Sequence, residues 1–283
     1  MILVEIIFGS GGSLLHSESE DIAETYIASL FHAGQLCGEY FLTWIKGELI
    51  CHTLMAGVGA DKMRFHSDWG KANLQKVVKA FGKKPVWQIR DDEISKRNVS
   101  WNAPTLCLFT HAFDWNPPLC RGDTGKRIPT FLLPVNFQLK NDIGRWQAEY
   151  ILHDRLWLNS GSLEMRAYKE LVDPASELSV GGRKLCAAIE KATGVPAYYF
   201  LMRYYAPRHG EDDRPCPSCG EPWYIPQPPD APFHTWPFRC EHCRLVSTIG
   251  VDINKRLATF GEWASRGKKK IHTSDTKKRT SNQ

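Results

Sequence analysis

The sequence lacks any long hydrophobic run. An uninterrupted apolar stretch of about 18 residues, which a transmembrane helix would need, occurs nowhere in the 283 residues. The start of a secretory signal peptide is also missing, because the acidic Glu5 stands in MILVEIIF where a basic segment would be expected. We therefore predict a cytoplasmic protein that makes no contact with a membrane and whose residues 2–8 form a first β-strand.

Most of the chain carries no net positive charge. The formal net charge is +5, and all of it resides in residues 267–283, where the only acidic residue is Asp275. The basic residues of this stretch are Lys268, Lys269, Lys270, Lys277, Lys278 and Arg279. Its polar composition predicts a disordered tail, since it offers too few apolar side chains to bury a core. These six residues are the candidate nucleic-acid contacts, with a solubilising role or a protein contact as the alternatives.

Known catalytic motifs are absent as well. The chain contains no HExxH, no GxSxG, no GxGxxG after a strand and no EF-hand loop. The segment GDTGKR, 122–127, lacks the spacing of a phosphate-binding loop. His153 and Asp154 are neighbours on an expected helix, where adjacent side chains do not face each other. We therefore predict no enzyme activity, and an active site assembled from distant residues is the alternative.

The nine cysteines do not suggest a disulfide framework, because their number is odd and no secretion signal precedes them. Four of them form a regular pattern of two CxxC pairs, Cys216 with Cys219 and Cys240 with Cys243. Each pair can turn two sulfurs toward one ion, and two pairs complete a tetrahedron. The pattern predicts one structural Zn²⁺ bound by these four residues. A thioredoxin-like site is disfavoured, because it needs a single CxxC at the start of a helix.

A centre with four thiolate ligands has no open position for a substrate, so its expected role is to fold a small module. We place this module, a zinc ribbon, at 207–253. It carries more acidic than basic side chains, unlike most nucleic-acid-binding modules. Its aromatic residues either stack on bases or, as we favour, pack the ribbon against the rest of the protein. They are Trp223, Tyr224, Phe233, Trp236 and Phe238.

The predicted fold class is α+β, with a main domain at 1–206, the zinc ribbon at 207–253 and the tail at 267–283. The first 90 residues alternate in the order β-α-β-β-α-β, which indicates a ferredoxin-like unit. Further strands are expected at 105–113 and 128–134, separated by a loop. A helical middle segment, 139–194, follows and leads into a strand at 197–206.

The segments RPCPSCGEPWYIP and FRCEHCRLVS resemble a bacterial zinc-ribbon-containing family, domain of unknown function 2310. The opening strand, FHAGQLCGEY and LSVGGRKLCAAIEKATGVPAYYFLMRYY carry the same likeness, which extends over most of 1–253. The resemblance implies an N-terminal α+β domain, a C-terminal ribbon and a cytoplasmic bacterial protein. It also implies that the four cysteines of the two CxxC pairs bind zinc, and nucleic-acid binding has been suggested for such proteins.

These observations predict a binding protein without a catalytic site, and nucleic acid is the partner that we favour. The ribbon, its aromatic side chains and the basic tail support this choice, whereas the neutral body of the chain opposes it. The alternative is a protein partner, with the chain acting as an adaptor or as a toxin-neutralising protein of the immunity type. The sequence does not distinguish DNA from RNA.

Overall fold

The computed structural model describes residues 1–91, 97–232 and 234–263. The predicted tail, 267–283, and its six candidate nucleic-acid contacts lie outside the described residues. The described chain begins with six elements: β1 (Ile2–Gly9), α1 (His16–His32), β2 (Leu36–Ile45), β3 (Glu48–Met55), α2 (Asp68–Phe81) and β4 (Val86–Ile89). A mixed α+β architecture is confirmed.

Local sequence explains the boundaries of several of these elements. The turn between β2 and β3 uses Lys46 and Gly47, both with positive φ, as two-residue hairpins require. Helix α2 begins after Ser67, whose side chain accepts a hydrogen bond from the Gly70 amide at 3.0 Å. It ends at Gly82, which adopts a left-handed conformation with φ of 70°.

The first sheet has the strand order β2-β3-β1-β4, and all neighbouring strands are antiparallel. Alternate residues of the central strand β1, Val4, Ile6 and Phe8, are fully buried. They share a core with Ile27 and Leu30 of α1. This arrangement follows from the two-residue period of a strand, which places alternate side chains on the same face of the sheet.

The second half of the chain contains ten further elements. They are β5 (Leu106–Leu108), β6 (Leu119–Arg121), α3 (Phe137–Asn159), α4 (Glu164–Val172), α5 (Glu177–Thr193), β7 (Ala197–Phe200), β8 (Tyr205–Ala206), β9 (Phe238–Cys240), β10 (Leu245–Ser247) and β11 (Asp252–Ile253). Among the described residues, no helix combines the length and the apolar character that crossing a membrane would require.

A five-stranded sheet organises this half, in the order β6-β5-β7-β10-β9. Strands β5, β7 and β10 run parallel, whereas β6 and β9 are antiparallel to their neighbours. Strand β10 pairs with β7 through Leu245 opposite Tyr199. The chain on either side of position 206, where we predict the domain boundary, is therefore joined within one sheet, and the boundary itself stays a prediction.

The three middle helices form the core of this half together with the sheet. Trp146 and Tyr150 of α3, Leu171 of α4 and Ile189 of α5 belong to one buried cluster, which also contains residues of β7 and β10. Gly182 allows the close approach of α5, because a Cβ atom at this position would collide with the ring of Tyr199.

The prediction of a strand at 128–134 is wrong. Thr130–Leu132 form a 3₁₀ turn instead, in which the Leu132 amide donates to the Pro129 carbonyl at 3.1 Å. The fixed φ of Pro129 favours such a turn over a ladder. The expected loop before it contains the short strand β6, which pairs with β5. A strand of three residues is too short to show a period in the sequence.

Candidate metal centre

The first CxxC pair forms a tight turn between β8 and β9. The Gly220 amide donates to the Cys216 carbonyl at 2.8 Å, and the Cys216 amide donates to the Glu221 carbonyl at 2.8 Å. Gly220 has a φ of 84°, a left-handed conformation that glycine adopts at little cost. Cys216 is fully buried and Cys219 is partly exposed.

The second CxxC pair connects β9 to β10 and repeats this design with a different residue. Arg244 follows Cys243, as Gly220 follows Cys219, and it also has a positive φ, 53°. Its guanidinium binds Glu190 of α5 through Nε at 3.1 Å and Nη2 at 3.0 Å. This bidentate pair links the turn to a helix of the main core and stabilises a conformation that is unfavourable for a residue with a Cβ atom.

The two turns bring the four predicted ligands together. The Sγ atoms of Cys216, Cys219, Cys240 and Cys243 all lie within 4.8 Å of one another. Cys219 Sγ and Cys240 Sγ are 3.7 Å apart, much longer than a disulfide bond of about 2.05 Å. The four cysteines could therefore hold a metal ion.

Burial affects the protonation of two of the four thiols, those of Cys216 and Cys243. It raises the pKa of Cys216 well above the ordinary value, although the backbone amides of Ser218 and Cys219 act in the opposite direction. Burial is also the main reason that the pKa of Cys243 rises to about 11. Thiols with raised pKa values are protonated at neutral pH, so a bound cation would have to displace their protons.

A buried group of charged side chains lies close to the first turn in sequence. Arg203 forms a bidentate pair with Glu211, with distances of 3.0 Å from Nε and 2.9 Å from Nη2. Glu211 also pairs with Arg214 at 3.1 Å. The Arg214 guanidinium packs on Phe238 of β9, 3.9 Å from the ring centre. We conclude that ion pairs and a cation–π contact bind the segment before Cys216 to the sheet.

Sequence patterns do not predict this buried group. Glu262, a further partner of Arg203 at 3.2 Å, is remote in sequence. Charged residues in loops are usually exposed, so nothing in the local sequence marks these as buried. The one available signal is a cationic residue shortly after a buried strand, since Arg203 follows the apolar run AYYFLM.

The remaining predicted residues fall into two groups. The other cysteines are all buried, as expected for small apolar side chains: Cys37, Cys51, Cys107, Cys120 and Cys186. Among the described ribbon aromatics, Trp223 and Phe238 are buried and lie 5.2 Å apart between ring centres. Trp236 packs on Phe200 of β7 at 4.8 Å. These three aromatic side chains therefore contribute to packing, and Phe233 lies outside the described residues.

Two family models match the chain: "Domain of unknown function (DUF2310)" over residues 100–202 and "Domain of unknown function (DUF8594)" over residues 207–253. An uncharacterized protein of Haemophilus influenzae is 40% identical over 164 residues, which cover 57% of this chain and 79% of the relative. The chain belongs to this family of bacterial proteins of unknown function.

A second uncharacterized protein of Haemophilus influenzae is 34% identical over 167 residues, which cover 58% of this chain and 63% of that relative. No solved structure matches the chain. The descriptions of the family and of its Haemophilus members name neither a metal nor a partner. Zinc binding and nucleic-acid binding therefore stay predictions for this member of the family.

Proposed function

We propose that Cys216, Cys219, Cys240 and Cys243 bind one structural Zn²⁺. The observation that carries the proposal is the mutual approach of their four sulfurs to within 4.8 Å. A tetrahedral zinc site with Zn–S bonds of about 2.3 Å has sulfurs about 3.8 Å apart. The 3.7 Å between Cys219 Sγ and Cys240 Sγ agrees with a single ion of this size. Four sulfur ligands are typical of zinc or of iron–sulfur centres, and the experiment below distinguishes the two.

The proposed ion stabilises a binding module and catalyses no reaction, because four thiolates leave it no open coordination position. Its position supports this role. Cys240 ends β9 and Cys243 directly precedes Arg244 and β10, so the ion would connect the edge of the second sheet to the turn at Cys216. We propose that the protein functions through binding to a partner.

Metal analysis of the purified full-length chain tests the zinc assignment. We expect one zinc per chain in the wild-type protein and a loss of that zinc in Cys219→Ser. The control is Cys51→Ser, because Cys51 is buried in the first sheet and should leave the zinc content unchanged. A Cys219→Ser protein that retains one zinc, or a wild-type protein that contains iron and absorbs visible light, would contradict the assignment.

The partner that we propose is nucleic acid, bound by the basic residues at 268–279. The described ribbon supports the choice of this stretch, because three of its four arginines, all except Arg208, form ion pairs with carboxylates. Arg214 pairs with Glu211 at 3.1 Å, Arg239 with Glu241 at 2.8 Å and Arg244 with Glu190 at 3.0 Å. Paired guanidinium groups attract phosphates less strongly than free ones, so the six basic residues of the final stretch are the better source of affinity.

A salt series with full-length protein tests this partner. Single- and double-stranded DNA and RNA would be titrated with the wild-type chain and with a variant that carries glutamine at all six basic positions. We expect the variant to lose most of its affinity and the wild-type affinity to fall steeply as salt rises. No binding by the wild-type chain would exclude nucleic acid and favour the protein partner, an adaptor or toxin target. Equal binding by both chains would place the contact elsewhere.

Two further assignments belong to this proposal. We assign residues 1–89 to the ferredoxin-like class, which is supported by the antiparallel sheet of order β2-β3-β1-β4 and the alternation of its strands with α1 and α2. We also propose a cytoplasmic location, which is supported by nine cysteines that form no disulfide in the structure.

A further inference from the structure

A cavity of about 470 Å³ lies between the two halves of the molecule. The end of α1 and the start of β2 form one wall, the loop 114–118 forms a second, and α3 forms the third. The volume is within the range of about 300–1,000 Å³ that small-molecule sites occupy. None of the four cysteines of the proposed metal centre lines the cavity, so the two sites are separate.

The walls of the cavity are largely apolar. Phe31, Leu36 and Ile151 contribute to the interior, and Trp115 and Leu152 line it while retaining 45% and 60% exposure. These two exposed side chains place the opening of the cavity at the protein surface. Such a lining favours an apolar ligand body that enters from solvent and is covered by an aromatic ring on one side.

The acidic side chains of the cavity are already neutralised. Asp114 forms a buried ion pair with Arg127. Glu39 pairs with Arg155, with 3.4 Å between Oε1 and Nη2. Each carboxylate is therefore matched by a guanidinium group, and neither contributes excess negative charge to the site.

Two cationic side chains of the cavity have no such partner. Lys140 is only 7% exposed, and its Nζ donates to the Phe131 carbonyl at 2.8 Å and lies 5.3 Å from the Phe137 ring centre. Neither Lys140 nor Arg145 forms an ion pair with any carboxylate in the part of the chain that the structure describes. Arg145 follows five residues later on α3, is exposed to solvent and lines the same cavity.

An unpaired buried ammonium group is costly, because a carbonyl and an aromatic ring replace only part of its hydration. Burial accordingly lowers the pKa of Lys140. Buried lysines in folded proteins are normally paired, and an anionic ligand would supply the missing partner here. The cavity thus combines an apolar lining with an excess of two positive charges.

From these observations we propose that the cavity binds a small organic carboxylate with an apolar body. The carboxylate would pair with Lys140 and Arg145, and the apolar body would lie among Phe31, Leu36 and Trp115. The ligand remains outside the metal centre, and its binding involves no covalent step.

Decanoate and decanol are the probes, because they share a chain and differ in the charged group. Isothermal titration of the full-length protein at neutral pH should give a decanoate Kd at least tenfold lower than that of decanol. Arg145→Gln should remove most of this preference, whereas Arg166→Gln should not, because Arg166 is exposed on α4 and does not line the cavity. Lys140→Met should have the same effect as Arg145→Gln if the variant folds.

Two glycine variants test the place of binding without depending on charge. Gly144 lines the cavity, and a Cβ atom there would meet no other atom within 4 Å, so Gly144→Leu should fill the cavity without a backbone clash. Gly181 in α5 is also free of neighbours but does not line the cavity, which makes Gly181→Leu the matched control.

We expect Gly144→Leu to weaken decanoate binding at least tenfold and Gly181→Leu to leave it unchanged. Three results would overturn the proposal: no decanoate binding up to millimolar concentration, equal affinities for decanoate and decanol, or undiminished decanoate binding by Gly144→Leu. The zinc content of each variant, measured in parallel, should equal that of the wild-type chain, so the outcome is independent of the metal centre.

Discussion

The two sheets of this molecule are stabilised in different ways. In the first sheet, β1, β2 and β3 have eight, ten and eight residues, and each neighbouring pair is antiparallel. In the second, β5, β6, β9 and β10 have only three residues each, and β7 has four. The first sheet therefore has long hydrogen-bonded ladders, whereas the second has short ladders, and those of β7 with β5 and β10 join segments that are distant in sequence.

The pairings of β7 with β5 and with β10 need additional links, because each of them closes a long loop and gains few hydrogen bonds in return. The links in the second sheet lie at the edge formed by β9 and β10. They are the four-cysteine cluster, the pair of Arg244 with Glu190, and the buried group around Glu211. The N-terminal sheet has no comparable cysteine cluster in the part of the chain that the structure describes. Metal removal should therefore destabilise the second sheet and leave the stability of the first sheet unchanged.

The largest expected effect is that of removing the metal. Chelation, or Cys240→Ser, should expose the backbone amides of β9 and β10 and leave those of β1 and β3 protected. The physical reason is that metal binding in small modules contributes folding free energy directly, about 10–16 kcal/mol in zinc-finger peptides. Peptide-resolved hydrogen exchange measures this difference. Uniform exposure of both sheets would show that they unfold together, and unchanged protection at β9 would show that the metal is dispensable.

A smaller loss is expected when the buried ion pair is broken. Glu211→Gln leaves Arg214 without its carboxylate and Arg203 with Glu262 alone, and buried pairs typically cost about 3–5 kcal/mol when one partner is removed. We expect about 3 kcal/mol, because Glu262 remains. The matched control in the first sheet is Glu48→Gln, whose pair with Lys83 is half exposed and worth about 0–1 kcal/mol. Urea unfolding measures both, and equal losses would contradict the comparison.

The sequence predicts the two halves unequally well. Long strands and helices leave a strong period, which is why the order of the first six elements and the helical character of 139–194 are predicted. Some short segments of the second half leave none, so β6 is missed and the 3₁₀ turn at Thr130–Leu132 is mistaken for a strand. A turn set by Pro129 and by contacts to Lys140 depends on tertiary structure, which a local pattern does not contain.

The same contrast applies to the two candidate sites. The spacing of the CxxC pairs identifies the four cysteines because the ligands of each turn are adjacent in sequence, and the structure brings all four together. The cavity between the halves has no such pattern. Its walls come from α1, β2, the loop 114–118 and α3, and the unpaired state of Lys140 is visible only once its surroundings are known.

A pH series should distinguish the two sheets, because a buried histidine lies in the half of the chain that contains the first sheet. His66 is 1% exposed, with its Nε2 3.0 Å from the Tyr26 hydroxyl and its Nδ1 3.2 Å from Gln35 Nε2. Burial lowers the pKa of His66, so the unfolded chain binds this proton more readily than the folded one. Stability from this group is therefore present above about pH 6.5 and is lost as the pH falls toward the lowered value.

Hydrogen exchange of the first sheet between about pH 7.5 and 5, corrected for intrinsic exchange, should show this loss at about 1.4 kcal/mol per unit of pKa shift. His66→Gln should flatten the dependence, and His32→Gln should not, because His32 is exposed. Acid also protonates metal-bound thiols, but that effect is expected in the second sheet. An unchanged slope in His66→Gln would assign the acid sensitivity to another group.

The smallest expected effect concerns the backbone of the first cysteine turn. Gly220→Ala would place a Cβ atom 3.0 Å from Cε2 of Trp263, at a residue with φ of 84°. A left-handed residue with a Cβ atom costs about 1–2 kcal/mol, so we expect the zinc Kd to rise about fivefold to thirtyfold in competition with a chromophoric chelator. The control is Gly82→Ala at the end of α2, in the unit formed by the first sheet with α1 and α2. Gly82 has a φ of 70° and no neighbour within 4 Å of the added atom, so the substitution carries a similar backbone cost. It should reduce the stability of that unit and leave the zinc Kd unchanged. Equal zinc affinities in both variants would mean that the turn does not determine metal binding, and the stability of the second sheet would then have to come from its buried ion pairs.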